Sequence, residues 1–333
     1  MALRHVAQAT LTASFLIGAV ALPQGAARAT TFDIAIFHSE RDAFAHEFQW
    51  WVAEVEKRTQ GRVVFKPHYS GSLVSMVETL SAVKNGIVPA GYTAASFSAP
   101  AIPALGYLEV LGSMPNETAA ATTALAAVEP TVTQLFQRYG VVYLWSQLGF
   151  DTLVLCRDKH LKTPADWKGM KVRAAGRWQS AQVAAMGASP TAIDPGEFYL
   201  ALQNKTVDCG LSIANLAVSL KLYEVAPKIT NLRQSVNMSM YVMNPRAWNQ
   251  IAAPDQAIVR EVSKEATKRA VGYIRDVVGK ALDEMKQKGA DVYSLSDAEL
   301  KTTRQQMQSV FPQIGAVSGD PGKTLAAALK PYW

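Results

Sequence analysis

Catalytic signatures are the first thing this sequence lacks. Its 333 residues hold two cysteines and five histidines, and none of them falls into C-x-x-C, H-E-x-x-H or another metal-ligand spacing. G-x-S-x-G, the phosphate-binding P-loop and G-x-G-x-x-G are missing too. The usual marks of a thiol oxidoreductase, metalloprotease, serine hydrolase, NTPase or dinucleotide enzyme are therefore absent, and neither a metal nor a cofactor is expected. Past the first thirty residues no long apolar run appears, so nothing there suggests a membrane span of about 20 residues. Basic residues number 33 against 27 acidic. They are scattered rather than clustered on one run, which argues against a nucleic-acid partner.

An export signal opens what is present. Arg4 and His5 precede the apolar stretch "VAQATLTASFLIGAVAL", and Ala27–Arg28–Ala29 fits the small-x-small cleavage pattern. Residues 1–29 are thus expected to be a signal peptide, with the mature chain starting at Thr30 in the periplasm. Thr10, Thr12, Ser14 and Gly18 interrupt the run too often for an uncleaved anchor. Losing Arg4 and Arg28 lowers the basic count from 33 to 31 against 27 acids, a mild positive balance. Cys156 and Cys209 fall in separate predicted strands. In an oxidising compartment they can pair, but spacing does not give their separation, and two buried thiols is the plainer expectation.

The mature length suits two domains. "FDIAIF" reads as a strand, and Ser39-x-x-Asp42 starts a helix through Thr59 with Phe44, Phe48, Trp51, Val52 and Val55 on one face. "RVVFKPHY" is the next strand, followed by a helix from about Leu73 to Asn85 and the strand "PAGYTAA". This βαβαβ opening predicts a parallel sheet with crossover helices. An alanine-rich helix near 117–139 and the strands "VVYLWSQ" and "DTLVLCRDK" come next. A second α/β run then begins: "MKVRAA", a helix at 178–186, "SPTAI", a helix from Pro195 capped by Asp194, and "VDCGLS". From Pro254 to about Lys288 nothing breaks a helix of ~50 Å, long enough to touch two lobes. Ser296-x-x-Glu299 starts a last helix, and "PGKTLAAALKPYW" reads as a tail.

Arg173 is the most suggestive residue. Its strand runs through Gly176 into a helix, and such a strand end is the ligand side of an open α/β sheet. The helix N-terminus offers unpaired N–H groups and partial positive charge, while the guanidinium fork matches a carboxylate. On these features alone, a carboxylate site and an ordinary ion pair within the lobe are equally open. His38 ends the first strand on the same kind of edge and is a second cleft candidate.

The stretch "LKTPADWKGMKVRAAGRWQSAQVAAMGASPTAIDPGEFYLALQNKTVDCG" resembles the central segment of solute-binding proteins of tripartite ATP-independent periplasmic (TRAP) transporters. Trp167–Arg173, Gly187–Pro190 and Glu197–Asp208 stand where that family has its ordered motifs, and the likeness extends over "EKRTQGRVVFKPHYSGSL" and "KLYEVAPKITN". The resemblance implies an α/β, two-lobed periplasmic-binding-protein-like fold with a long helix spanning both lobes. Lobe I would comprise 30–148 plus 237–277, and lobe II 149–236 plus 278–333. It also implies that Arg173 pairs with a ligand carboxylate, that the protein is a receptor rather than an enzyme, and that it delivers an organic acid to membrane permease subunits, a task for which a monomer suffices. Some relatives carry a second arginine where this chain has Asp151, and an asparagine where it has Ser212, with Asn215 three residues on. Asp151 either faces the pocket or ion-pairs Arg173 or Arg157. Phe150, Trp178, Trp145 and Tyr92 crowd the same region, which favours a monocarboxylate with a hydroxy, oxo or aromatic substituent. A dicarboxylate held also by Arg177 or Arg233 is the alternative. An enzyme using the same cleft and a receptor serving a membrane kinase are the rival classes.

Overall fold

Thr-Thr-Phe-Asp-Ile-Ala alternates polar and apolar residues, and Thr30–Ala35 (β1) accordingly buries Phe32 and Ile34 while Asp33 faces out. The computed structural model of the protein describes residues 29–333; the expected signal peptide lies outside them but for its last residue. Asp42 caps the following helix, Ala43–Arg58, by accepting from the Phe44 amide at 2.8 Å. Phe44, Phe48, Trp51 and Val55 fill its buried face, as their spacing predicts. Val63–His68 (β2), Ala90–Ala94 (β3) and Val142–Gly149 (β4) follow. Next come Leu153–Cys156 (β5), Lys171–Ala174 (β6), Ser189–Ala192 (β7), Cys209–Ser212 (β8) and Lys228–Asn231 (β9). Val236–Met243 (β10) and Asp291–Ser294 (β11) complete the strands among the described residues.

These strands build two sheets, and the molecule has two lobes. The first runs β2-β1-β3-β10-β4, with β1 parallel to β2 and β3 and with β10 antiparallel to β3 and β4. The second runs β11-β9-β5-β8-β6-β7. Two short chain crossings, β4 to β5 and β9 to β10, join them, and a long helix carries the chain from β10 to β11. The two crossings bond to each other through Thr152 N to Gln234 O and Leu232 N to Thr152 O, both 2.8 Å. Asp151, Arg233 and Asn237 take φ values of 47°, 52° and 55° there, a region that non-glycine residues seldom occupy.

The helix Ala253–Gln287 is 35 residues long, within a residue of its predicted ends. Ser263 accepts from Trp51 Nε1 at 3.0 Å, and Glu265 and Asp255 pair with Arg58 and Arg62, fastening its first half to the first lobe. Further along, Arg275 reaches Asp151 on a crossing at 2.9 Å, and the chain then enters β11 in the second sheet.

Three expectations are corrected. The helix expected from Leu73 begins only at Thr79, because Ser75 holds a turn through its bonds to Glu78. The expected C-terminal tail belongs to a helical segment, Phe311–Leu329, kinked at Gly319. It packs back on the first lobe, where Tyr107 donates to Phe311 O at 3.2 Å and Trp333 stacks on Tyr107. Cys156 and Cys209 are not free thiols but a disulfide. Antiparallel β5 and β8 put the two residues directly opposite each other, so their side chains share a face.

Candidate functional site

β6 lies between β7 and β8, so Arg173 enters the second lobe's interior and is only 3% exposed. Its Nε donates to Ile193 O at 3.0 Å and one terminal nitrogen, Nη1, donates to Leu211 O at 2.9 Å. Among the described residues Nη2 has no partner, and no carboxylate lies within ion-pair distance. Burial brings the guanidinium down to about 10, with Asp194 pulling the other way. The Phe198 ring stacks against it, 4.8 Å from centroid to Cζ. Gly210 is required here, since a Cβ would run into the Phe198 ring and sit 2.8 Å from Arg173 Cβ.

The helix N-terminus beside it is already filled. Glu109, fully buried, accepts from the Trp178 and Gln179 amides at 2.8 and 3.0 Å. Burial pushes its carboxyl up to about 8, against those two bonds and Arg177. The expectation that guanidinium and helix end together greet a ligand is therefore corrected: the protein's own carboxyl group occupies the helix end. Arg173 Nη2 alone is left over.

Arg173 lines a cavity between the lobes. Ala175, Gln179, Pro195 and Leu211 to Ile213 continue the second lobe's wall, while Phe37, His38, Phe44, Met76, Tyr92 and Phe97 form the first lobe's. Thr152 comes from the β4–β5 crossing, and Asn237 and Ser239 from β10. Most of this lining is apolar. Tyr92 donates to Ser239 Oγ at 2.6 Å, and Asn237 Oδ1 accepts from the Ser96 amide at 3.0 Å. Arg173 is the single lysine or arginine of the lining among the described residues.

Arg173, His38, Tyr92 and Ser212 thus share one cavity. Asn215 stands behind it, donating to Asp42 Oδ1 at 3.3 Å across the lobes. Asp151 faces a different cavity with Arg233 and Arg304, and it pairs with Arg275 rather than with Arg173 or Arg157; the latter is bound to Asp208. Phe150 is fully buried beside Arg275. Trp178 packs its indole on Gly106, where a Cβ would come within 2.5 Å of Nε1. Neither aromatic lines the cavity. Arg177 lies over the Trp178 ring and Arg233 pairs with Asp297, so neither supplies a second cation to it. Gln179, Asn237 and Ser239 escaped the sequence reading. For Asn237 and Ser239, the i, i+2 spacing of two polar residues opening an apolar strand was the available signal.

Two sheets joined by paired crossings, with a mostly apolar cavity between the lobes and one buried cation in it, define a two-lobed binding protein. The family model for bacterial extracellular solute-binding protein, family 7 (DctP), matches residues 34–316, and the chain belongs to that family; the resemblance to TRAP-type solute-binding proteins holds. A solute-binding protein of Albidiferax ferrireducens is 24% identical over 295 residues, covering 86% of this chain and 85% of its own. Among solved structures, a TRAP periplasmic solute-binding protein from Desulfovibrio salexigens with bound orotic acid superposes at a TM-score of 0.85 and 22% identity. It covers 91% of this chain and 98% of its own. DctP7 of Bordetella pertussis, an extracytoplasmic receptor binding pyroglutamic acid, gives 0.84 at 19% identity, over 91% and 100%. The family is one of extracytoplasmic solute receptors.

Proposed function

We propose that this protein is a periplasmic receptor for a monocarboxylate with a compact apolar or ring-shaped body, which it delivers to the membrane subunits of a TRAP transporter. One observation carries the reading: Arg173 is buried, lines the interlobe cavity, and keeps Nη2 without a partner. A ligand carboxylate satisfies that nitrogen and neutralises the charge in one contact. A dicarboxylate would call for a second lysine or arginine, and the lining offers none among the described residues. The aromatic wall suits an apolar or ring portion. Orotic acid and pyroglutamic acid, the ligands of the two structural neighbours, each carry one carboxylate on a ring.

Removing one partner of a buried charge pair costs roughly 3–5 kcal/mol. Arg173→Ala should therefore weaken carboxylate binding by roughly two to three and a half decades, at ~1.4 kcal/mol per decade. The test is a thermal-shift screen of the exported protein against mono- and dicarboxylates, followed by calorimetry of the hits on Arg173→Ala. Ligands that bind the folded state raise its melting temperature. Monocarboxylate hits lost in the variant support the reading. Hits confined to dicarboxylates, or affinity untouched by the substitution, would overturn it.

A further inference from the structure

The cavity has a second polar pole, on the opposite lobe from Arg173. His38 is 4% exposed and lines the cavity, and neither ring nitrogen completes a hydrogen bond among the described residues. Nδ1 lies 3.2 Å from Asp42 Oδ1. That same oxygen accepts from the Phe44 amide at 2.8 Å and from Asn215 at 3.3 Å. Burial raises the Asp42 carboxyl, but His38 and these donors outweigh it and hold it below the ordinary range. Asp42 is therefore a buried anion at the back of the ring. The ring itself is set edge-on against Phe44 and Tyr92, with centroids 5.0 and 4.7 Å away. Tyr92's hydroxyl donates to Ser239, and Nε2 has no hydrogen-bond partner among the described residues.

A ligand carboxylate offsets Arg173, which leaves Asp42 as a buried anion in need of a cation. Among the lining residues, His38 is the group beside Asp42 that can supply one. A protonated ring has donors on both nitrogens: Nδ1–H serves Asp42, and Nε2–H is left for the ligand.

We infer that His38 is a specificity-determining residue that donates from Nε2 to an oxygen on the ligand's body, so that the receptor selects hydroxy- or oxo-acids over plain hydrocarbon acids and over amino acids. The inference rests on the reading of Arg173 as the carboxylate anchor. A plain acid would leave the buried Nε2–H unsatisfied, which is where a polar site gains its discrimination. An amino acid would bring an ammonium group towards two cations.

Five acids on one skeleton test this by calorimetry: pentanoate, 2-hydroxypentanoate, 2-oxopentanoate, 4-oxopentanoate and 2-aminopentanoate. At least one oxygenated acid should bind about 10- to 100-fold more tightly than pentanoate, and 2-aminopentanoate no more tightly than pentanoate. In His38→Phe, which keeps an aromatic ring in an aromatic setting, that gap should shrink to about threefold or less. His38→Gln, which keeps a donor, should retain most of it and guards against misfolding of the first variant; thermal unfolding of both checks their integrity. Equal affinity for pentanoate and all three oxygenated acids, or a gap that persists in His38→Phe, overturns the inference. If Arg173→Ala abolishes pentanoate binding while the gap ignores His38, only the His38 role falls. If Arg173→Ala changes nothing, or if none of the five acids binds at millimolar concentration, the anchor and this inference fall together.

Discussion

Glu109 is a carboxyl group enclosed by protein and bonded to a helix end, and its burial has a consequence in solution. Its value is raised from 4.5 to about 8 on folding. A raised acid contributes its full stability below its unfolded value and loses it as pH climbs through the folded one. The protein should therefore lose stability between pH 5 and 8.5, and Glu109→Gln, which cannot ionise, should flatten that decline. Urea unfolding of both forms across this range checks it; parallel curves would refute the assignment. Arg173 could be singled out from sequence because its strand, glycine and helix are adjacent in the chain. Glu109 could not, since it reaches the same helix end from sixty-nine residues upstream of Trp178. Without it, the helix end looked free for a ligand. Asp151 and Phe150 misled for a related reason: the crossing they occupy turns them towards the long helix and away from the cavity.

Elements were legible where one local signal decided them. The long helix matched its predicted span because Pro254 marks its first turn and Gly289 stands just past its end, and the Ser296–Glu299 capping box is formed as read. The segment 73–78 failed because side-chain bonds of Ser75 compete with helix there. The pairing of β5 with β8 was invisible, as strand order in a sheet is a long-range property, and the cysteine bridge was hidden with it. That bridge joins positions 53 residues apart, a loop whose closure is worth about 4 kcal/mol in the chain-entropy account. Replacing both cysteines by alanine should lower the denaturant midpoint accordingly. A reducing agent should lower the parent's midpoint and leave the double variant's unchanged; a parent indifferent to both treatments would contradict the bond's contribution.

At the scale of the whole molecule, two α/β runs and one overlong helix were enough to anticipate two lobes. The cavity between them could not be drawn, because its lining comes from both lobes and the β4–β5 crossing. Asn215, which opens the helix after β8, donates to Asp42 at the head of the helix after β1, so this bond exists only while the lobes are together. Saturating ligand should shrink the radius of gyration measured by X-ray scattering. Asn215→Ala should bind several-fold more weakly, since it removes one lobe-to-lobe bond worth about 1 kcal/mol. An unchanged radius with ligand would rule out closure as part of the binding step. Arg173, finally, has no carboxylate of its own to rest against. Shut without cargo, the protein would trap a bare positive charge away from water, a state that is expensive to populate. If Arg173 grips the acid as proposed, the same side chain would also work as an interlock, keeping an unloaded receptor from passing itself off as a loaded one.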